Sequence, residues 1–240
     1  MPDEMYLKWQ FRHIYHKKLN IKHPVTYADK LAYMKVKIRD ARLSKLVDKA
    51  EVRTYVAEVI GDQYLIPLIG IYDAVSDIPW DDLPQEYVLK CTHDSASVIL
   101  HVNGMEFNKN EAIESLSKHL KRNMYWYSRE YPYKNIKPRI ICERFLNDHG
   151  KPPVDYKIMC FDGKAHYIVV DIDRFGNHRR DVYDTNWVKQ DITTDHPQGV
   201  GSVPEPGNLH EMLYLAEKLA KGFTHVRVDF YSVNGKIFFG

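Results

Sequence analysis

The sequence has few cysteines and none in a metal-binding or redox spacing. Its three cysteines, Cys91, Cys142 and Cys160, are odd in number, widely separated and never arranged as CxxC, which argues against a disulfide framework or a zinc site. Each lies in an apolar run typical of a strand, where cysteine acts as a small buried hydrophobic side chain. We therefore expect three buried cysteines without a chemical role.

Long apolar runs are also missing. The longest one, around Tyr64–Tyr72, is interrupted by Pro67 and is far shorter than the ~20 residues that a transmembrane helix requires. The N-terminus, MPDEMYLKWQ, lacks the apolar core of a signal peptide. The sequence therefore predicts a cytoplasmic protein, with peripheral contact to the inner membrane face left open.

Several common catalytic signatures do not occur. There is no serine-hydrolase elbow, HExxH, Walker loop or GxGxxG, and the 12 histidines show no spacing typical of metal ligands. The net charge of +2 and the pI near 8.2 argue against a dedicated nucleic-acid-binding protein. A function must therefore be sought in scattered residues that the fold brings together.

What is present is an ordinary globular composition with an uneven distribution of charge. The 240 residues, of which 44% are hydrophobic, suffice for one large domain or two small lobes. Residues 1–60 carry 13 Lys and Arg against 7 Asp and Glu. Two interpretations are open: a surface for an anionic partner, such as membrane headgroups or a phosphorylated lipid carrier, or a solvated helical face.

The patterns predict helices at the front of the chain and hairpins behind. Residues 5–20 and 26–60 have helical periodicity, with Thr26 as an N-cap. Within the latter region a second helix is predicted from Asp48 to Ile60, with Gly61 as its C-terminal stop. A helix is predicted over residues 110–127 and another over residues 209–221, the latter with a capping box formed by Asn208 and Glu211. Residues 184–206 are predicted to form a long polar loop.

Strands are predicted where short apolar runs meet turn residues. Two pairs form hairpins around Asp162–Gly163 and Asn234–Gly235. The predicted strands are Tyr64–Tyr72, Tyr87–Cys91, Ser97–Val102, Ile140–Leu146, Tyr156–Phe161, Ala165–Ile172, Val226–Tyr231 and Lys236–Phe239. This order predicts an α+β protein with mainly antiparallel sheets.

The final hairpin holds the most informative charged residues. Arg227 and Asp229 alternate with apolar residues, so a strand would place both on one face. Charges are costly to bury there unless they meet ions or a ligand, and a carboxylate on a rigid strand suits Mg²⁺. The alternative is an exposed face with a weak local ion pair.

Lys90 ends the apolar run of its strand and precedes the polar turn Thr92–Ser97. An ammonium group followed by hydroxyls and backbone N–H groups is typical of a phosphate grip. The alternative is a lysine that extends from a sheet edge into solvent.

Further charges lie in and around the middle hairpin. Glu143 lies in an apolar strand, where its carboxylate needs a donor, either a ligand or a nearby arginine. Three acids and two bases flank the ends of the hairpin, as a polyanion and metal site or simply as a charged end. These residues are Asp155 and Lys157 at its start and Asp171, Asp173 and Arg174 at its close.

Six segments together resemble the TupA-like branch of the ATP-grasp superfamily, which is associated with teichuronopeptide and other bacterial surface-polysaccharide synthesis. Their order and spacing carry the likeness, which runs from about Lys49 to Gly240. The segments are DKAEVRTYVAEVIG at 48–61, LPQEYVLKCTHDSAS at 83–97, KPRIICERFL at 137–146, DYKIMCFDGK at 155–164, DIDRF at 171–175 and VRVDFYSVNGKIFFG at 226–240.

The resemblance implies an ATP-grasp-like fold with two lobes that hold ATP. Residues 1–84 would form an N-terminal helical region with a first strand, residues 85–144 the small nucleotide-gripping lobe, and residues 145–240 a larger lobe with the metal and substrate site. Lys90 would contact the ATP phosphates. Ser95 and Ser97 belong to the loop that would close over them. Glu143, with the backbone of Phe145 and Leu146, would hold adenosine.

The resemblance also assigns residues to the chemical step, with ATP and Mg²⁺ as cofactors. Asp229 would bind Mg²⁺, Arg227 would steady acyl-phosphate oxygens, and Lys157 would point to the phosphates or the substrate. Asp173 and Arg174 match a motif of this branch, and we place them with the metal-binding and catalytic residues respectively. The implied reaction joins a carboxylate to an amine through an acyl-phosphate, and one substrate would be a sugar or uronic-acid precursor.

The sequence departs from the family pattern in two places. The loop reads His93–Asp94–Ser95–Ala96 where the family has HGSG, so two glycines are replaced. The family also continues directly after the position of Gly240 with a glutamate and a glycine-containing tail that would complete the metal site. We expect either a truncated sequence or a natural loss of that site.

Two other functions remain open. The altered loop is compatible with a degenerate, non-catalytic ATP-grasp module that binds a nucleotide or a partner. Asp171–Ile172–Asp173 formally matches the DxD pair of a glycosyltransferase in the same pathway.

Overall fold

The computed structural model describes residues 1–150, 152–173 and 176–240. They form two compact units, each built from two stretches of the chain. Unit 1 comprises residues 1–52 and 69–142, and unit 2 comprises residues 53–68 and 143–240. The functional division of the chain into three regions stays a prediction.

The front of the chain is helical, as predicted, but it is more broken than its periodicity indicates. The helices are α1 (Asp3–Tyr15), α2 (Tyr27–Lys37), α3 (Arg42–Val47) and α4 (Val52–Val59). Thr26 caps α2 in a capping box with Asp29. The helical region over residues 26–60 is interrupted because Asp40 and Asp48 accept hydrogen bonds from backbone N–H groups two residues ahead, which competes with helix formation. Helix α4 lies within the second predicted helix of this region.

Unit 1 also contains a four-stranded sheet in the order β1-β4-β2-β3. Its strands are β1 (Leu68–Tyr72), β2 (Tyr87–Cys91), β3 (Ile99–His101) and β4 (Ile140–Arg144). β2 and β3 pair antiparallel. The single residue Leu68 and the end of β4 belong to unit 2.

Helix α5 (Lys109–Leu120) packs onto this sheet, and the short α6 (Tyr125–Ser128) follows it. Leu116 of α5 shares an apolar core with Leu89 and Cys142 of the sheet. The predicted helix over residues 110–127 is interrupted because Asn123 accepts a hydrogen bond from the N–H of Tyr125 and so starts a new turn.

Unit 2 is built on a five-stranded sheet in the order β7-β6-β5-β8-β9. The strands are β5 (Asp155–Phe161), β6 (Lys164–Ile172), β7 (Arg179–Asp184), β8 (His225–Val233) and β9 (Lys236–Phe239). All neighbouring strands run antiparallel, which confirms the α+β class and both predicted hairpins. Strand β7 was not predicted.

Helix α7 (Leu209–Ala220) covers the apolar face of this sheet. Met212 and Ala216 of the helix are buried, as are Ile158 and Phe230 on the apolar face of the sheet. The predicted capping box was wrong: Asn208 makes no side-chain cap, and Glu211 instead accepts a hydrogen bond from the Tyr64 hydroxyl at 2.7 Å.

The predicted burial of the cysteines is confirmed. All three are buried, and burial raises the pKa of the Cys91 thiol to about 11 and that of Cys160 to about 12. Among the helices of the described residues, none is both long and apolar enough to cross a membrane.

Candidate functional site

The five-stranded sheet has one apolar face and one charged face. Because side chains directly opposite each other on paired strands share a face, the register decides which residues meet. Asp155 lies opposite Asp171, which lies opposite Arg180. One step along, Lys157 lies opposite Asp229. This face is the one that α7 does not cover.

A buried ion network, here called the sheet cluster, occupies the charged face. Its members are Asp155, Lys157, Asp171, His178 and Arg180. The Lys157 ammonium is only 6% exposed and donates to Asp155 and, at 2.7 Å, to Asp171. Asp171 also accepts from Arg180 Nε at 2.6 Å and lies 3.0 Å from His178 Nε2.

This cluster keeps its central carboxylate ionised. Burial opposes the charged form of Asp171, but hydrogen bonds from Arg180 and Lys157 outweigh it and hold the pKa of Asp171 well below its usual range. Lys157 is therefore a fixed, partly neutralised positive charge. The predicted role of Lys157 at the phosphates or the substrate stays a prediction.

Sequence reasoning missed Arg180 and His178. Arg180 also pairs with Asp195 at 2.5 Å, so it links the sheet cluster to the loop that follows β7. The segment Arg179–Asp184 reads RRDVYD, and its consecutive charges conceal the strand alternation. The signal that could have found it is the apolar pair Val182 and Tyr183, both of which are buried.

Arg227 and Asp229 lie together on the charged face, as their alternation predicts. Two hydrogen bonds join them, from Arg227 Nε to Asp229 Oδ1 at 2.7 Å and from Nη2 to Oδ2 at 2.8 Å. The Arg227 side chain is 52% exposed and that of Asp229 21%. Both are therefore within reach of a ligand from solvent, and both roles stay predictions.

Asp173 lies apart from Asp229. It is exposed in the turn after β6, with a left-handed backbone, and it accepts a hydrogen bond from the N–H of Asn177. By the register it is four strand residues away from Asp229, which is about 13 Å along the sheet. The two carboxylates cannot bind the same ion. Arg174, the other residue of this motif, lies outside the described residues.

Within the described residues, no group of three or more His, Cys, Asp or Glu could hold a metal ion. Mg²⁺, however, is usually bound by one or two carboxylates together with substrate phosphates. Asp229 therefore fits as a single Mg²⁺ ligand that needs a nucleotide to complete the site.

In unit 1, Lys90 lies near the end of β2, ahead of the predicted phosphate loop. Two polar side chains of the loop, those of Asp94 and Ser97, are turned inward. Together with Lys49 and His119 from outside the loop they form what we call the loop cluster. Asp94 is buried, and its two oxygens lie 2.5 Å from Ser97 Oγ and 2.5 Å from His119 Nδ1. Ser97 also accepts from the Cys91 N–H at 2.8 Å.

This geometry shows how the altered loop sequence affects the charge and the backbone of the loop. The Asp94 carboxylate points into the protein, so its charge does not occupy the exposed tip formed by Ser95 and Ala96. Ala96 has φ of 72°, a left-handed conformation that favours glycine. The loop thus keeps a glycine-like backbone without the glycine. The phosphate roles of Lys90, Ser95 and Ser97 stay predictions.

Lys49 was missed by sequence reasoning. Its ammonium donates to the carbonyl of Cys91 at 3.0 Å and to that of Asp94, and burial, with a smaller effect from nearby Lys90, lowers its pKa to about 8. Lys49 thus adds a second cation to the region of Lys90. The signal was its place directly after the helix-capping Asp48 in the segment DKAEVR.

Glu143 has an arginine partner within unit 2. Arg53 Nη1 donates to Glu143 Oε1 at 2.7 Å, and Arg53 Nη2 donates to the carbonyl of Ile66 at 2.9 Å. Phe145 and Leu146 follow the end of β4 and are half-buried. The structural alternative for Glu143 is therefore present, and the adenosine roles of all three residues stay predictions.

The family described as TupA-like ATPgrasp matches residues 29–240 of the sequence. That match covers most of the chain. The chain belongs to the TupA-like ATP-grasp family. Comparison with curated proteins finds no significant match.

This TupA-like chain is also similar to solved ATP-grasp structures. D-alanine–D-alanine ligase from Bacillus anthracis, complexed with ATP, is 15% identical, with a TM-score of 0.45 over 82% of this chain and 54% of that one. L-amino acid ligase from Bacillus licheniformis is 10% identical, with a TM-score of 0.49 over 98% and 53%. PsnB, an ATP-grasp ligase complexed with its minimal precursor, is 10% identical, with a TM-score of 0.45 over 88% and 57%. The chain thus spans just over half the length of each.

In this TupA-like chain the DxD pair does not have the geometry of a metal site. Asp171 is buried and paired with Lys157 and Arg180, whereas Asp173 is exposed two residues further on. A nucleotide-sugar metal would have to compete with these cations for Asp171. The arrangement is better suited to fixing positive charge on a rigid sheet than to binding a metal at Asp171.

Proposed function

We propose that the chain belongs to an ATP-dependent ligase that joins a carboxylate to an amine. The observation that supports this most directly is the charged sheet face, where Lys157, Arg227 and Asp229 lie on neighbouring strands. Membership of the TupA-like ATP-grasp family supports the use of ATP. The reaction would form an acyl-phosphate from the carboxylate and the γ-phosphate, and the amine would then displace phosphate.

Positive charge is what such a reaction requires from the protein, because negative charge spreads over the transferring phosphoryl oxygens. Arg227 would stabilise the acyl-phosphate oxygens, since its half-exposed guanidinium can turn to a ligand. Lys157 would supply a fixed charge with little freedom to move, because it is held between Asp155 and Asp171. In unit 1, Lys90 and Lys49 would bind phosphate.

Asp229 would hold Mg²⁺ together with the nucleotide phosphates. The ion would supply charge neutralisation at the phosphoryl group. Arg227 would then exchange its contact with Asp229 for one with the substrate, which gives the observed ion pair a reason to be exposed. Asp173 and Arg174 belong to the proposal only as members of the matching motif.

The substrates and the pathway are further parts of the proposal. By the family resemblance, one substrate would be a sugar or uronic-acid precursor of a surface polysaccharide. Such a role would bring the cytoplasmic enzyme to precursors at the inner face of the membrane.

The test is isothermal titration calorimetry with MgATP. We expect the chain to bind the nucleotide, and we expect Lys90→Ala and Asp229→Ala each to abolish binding. Lys121→Ala removes an exposed lysine of unit 1 and should leave binding unchanged. An unaltered chain without nucleotide affinity would contradict the proposal.

A second candidate is a degenerate, non-catalytic ATP-grasp module. The observation that favours it is the replacement of two loop glycines by Asp94 and Ala96, which leaves Ala96 in a strained backbone conformation. Such a module would bind nucleotide without releasing ADP. ADP or phosphate release with any amine acceptor would count against it.

A further inference from the structure

Helix α1 has two different faces. On its inner face, buried Leu7 packs in a small apolar cluster with Leu19, Ile21 and Ala32. On its outer face, Met5 and Trp9 lie one turn apart and are 58% and 51% exposed. Contiguous exposed apolar side chains with polar residues around them are typical of an interaction surface.

Exposed apolar side chains continue beyond α1. Ile14 and Tyr15 at its C-terminal end are exposed, as are Val25 and Tyr27 around the start of α2. Ile14 and Tyr15 border an apolar cavity of about 370 Å³ between α1 and α2, which includes Phe11 and Leu31 in its lining. The apolar surface is therefore broader than one helix face.

The charged side chains of α1 and its flank are mostly basic. Residues 3–30 contain five lysines and one arginine against three acids, Asp3, Glu4 and Asp29. Asp3 pairs with Arg39 at 3.1 Å. Asp29 is buried, and its oxygens accept hydrogen bonds from Asn20 and Thr26. Its carboxylate is therefore not presented to a binding partner at the surface. Lys8 pairs with Glu4 at 2.7 Å.

Five cations of this segment make no ion pair in the part of the chain that the structure describes. They are Arg12, Lys17, Lys18, Lys22 and Lys30. All five are exposed. We call these cations, with the exposed apolar side chains of α1 and its flank, the N-terminal basic-aromatic surface.

We infer that the N-terminal basic-aromatic surface docks on an anionic lipid bilayer. Tryptophan and tyrosine are suited to the headgroup level, where one side of the ring is apolar and the other wet. Lysine and arginine beside them gain energy from the negative surface potential, and apolar insertion adds to that attraction. Met5 and Trp9 would enter the headgroup layer, with Arg12, Lys17 and Lys18 against the lipid phosphates.

Charge argues against a second copy as the occupant. A twofold contact would bring two surfaces of the same sign together, which is repulsive. An acidic protein would satisfy the cations, but it would not require the exposed indole to enter an apolar layer. The inference does not depend on the ligase chemistry, since no residue of the sheet cluster or the loop cluster takes part.

The experiment is co-sedimentation of the whole chain with vesicles. We expect binding to phosphatidylcholine mixed with phosphatidylglycerol, little binding to phosphatidylcholine alone, and loss of binding at high salt. Reversing two charges with Lys17→Glu and Lys18→Glu should weaken the partition coefficient by about tenfold or more. The matched control is Lys221→Glu with Lys236→Glu, which changes the net charge equally at exposed positions elsewhere and should leave binding strong.

The apolar contribution is tested by Trp9→Ser against Tyr214→Ser, because both rings are more than half exposed. Only Trp9→Ser should weaken binding, and lipids with bromine in the upper acyl chain should quench the fluorescence of the unaltered chain more than that of Trp9→Phe. Equal loss in both control pairs, binding independent of lipid charge, or no binding would overturn the inference. Dimerisation that requires Trp9 would identify a second copy as the occupant instead.

Discussion

The sheet cluster of unit 2 and the loop cluster of unit 1 hold buried charge in opposite ways. In the sheet cluster, cations and carboxylates on neighbouring strands neutralise one another, and Asp171 alone contacts Lys157, Arg180 and the imidazole of His178. In the loop cluster, Lys49 binds main-chain carbonyls and Asp94 binds one hydroxyl and one imidazole. Ion pairs between side chains thus hold the sheet cluster together, whereas in the loop cluster the cation Lys49 depends on main-chain carbonyls.

The two arrangements predict different losses of stability when a residue of each cluster is replaced. Strands set the positions of the sheet cluster, so removing its central anion, Asp171, leaves Lys157 and Arg180 close together without it. The loop cluster has fewer charges and a strained turn, so changes there should be smaller and more local. The following changes test that contrast.

The largest effect is expected from Asp171→Asn. Removing this charge leaves the buried Lys157 and the partly buried Arg180 with too little negative charge, and breaking a buried ion pair typically costs about 3–5 kcal/mol. Urea unfolding should show that loss in the free energy of unfolding. Asp173→Asn makes the same chemical change at an exposed site and should stay within about 0.5 kcal/mol; equal losses would mean that the sheet cluster contributes no special stability.

The pH dependence of the same variant sharpens the point. The pKa of Asp171 is lowered on folding, so its stabilisation is complete above the unfolded pKa of about 4 and is lost as the pH falls through the lower folded value. The stability difference between the unaltered chain and Asp171→Asn should therefore be constant from neutral pH down to that region and shrink below it. A difference that grows in acid would contradict this assignment.

In the loop cluster, Asp94→Ala should cost less. It leaves the buried Ser97 hydroxyl and His119 without their shared acceptor, and an orphaned buried polar group costs about 1–3 kcal/mol. Thermal or urea unfolding measures the loss. The control is Asp81→Ala, whose side chain in the same unit is almost fully exposed and should be nearly neutral. A loss larger than that of Asp171→Asn would reverse the contrast between the clusters.

A smaller effect of opposite sign is expected at Ala96. Its left-handed backbone costs a non-glycine residue about 1–2 kcal/mol, and glycine loses about 0.4–1 kcal/mol through the entropy of the unfolded chain. Ala96→Gly should therefore stabilise the protein by about 0.5 kcal/mol in urea unfolding. Ala74→Gly, where φ is −136°, should destabilise it instead, and a loss at both sites would show that Ala96 is not strained.

The smallest change concerns a single proton at Lys49. Its pKa of about 8 predicts that amine-specific labelling, followed by mass spectrometry, should rise with a midpoint near that value. A midpoint near the usual lysine pKa of about 10.4 would mean that burial does not discharge Lys49 early.

Much of the fold could be predicted because local patterns agree with it. Strand β2 has the predicted bounds, Thr26 caps its helix, and the Asn234–Gly235 turn has the positive φ angles that its sequence requires. The failures share a cause. Asp40, Asp48, Asn123 and Asn208 each make or omit a side-chain-to-backbone hydrogen bond that hydrophobic periodicity does not report.

The candidate site could be predicted only as far as alternation within one strand extends. Arg227 and Asp229 are two residues apart, so their common face follows from the sequence. Asp171 and Arg180 meet only because β7 lies beside β6, and Lys49 reaches the carbonyl of Asp94 across 45 residues of chain. Such meetings depend on strand order and loop closure, which no short segment encodes.

The division of the chain into two units affects its proteolysis and its folding during synthesis. Each unit is assembled from two separate stretches, and the chain passes from one unit to the other near residues 52, 68 and 142. No single cleavage therefore releases either unit intact. Residues 53–68 of unit 2 contact residues far along the chain, from Glu143 to Phe239, so part of the contacts of this segment can form only after that later sequence has been synthesised.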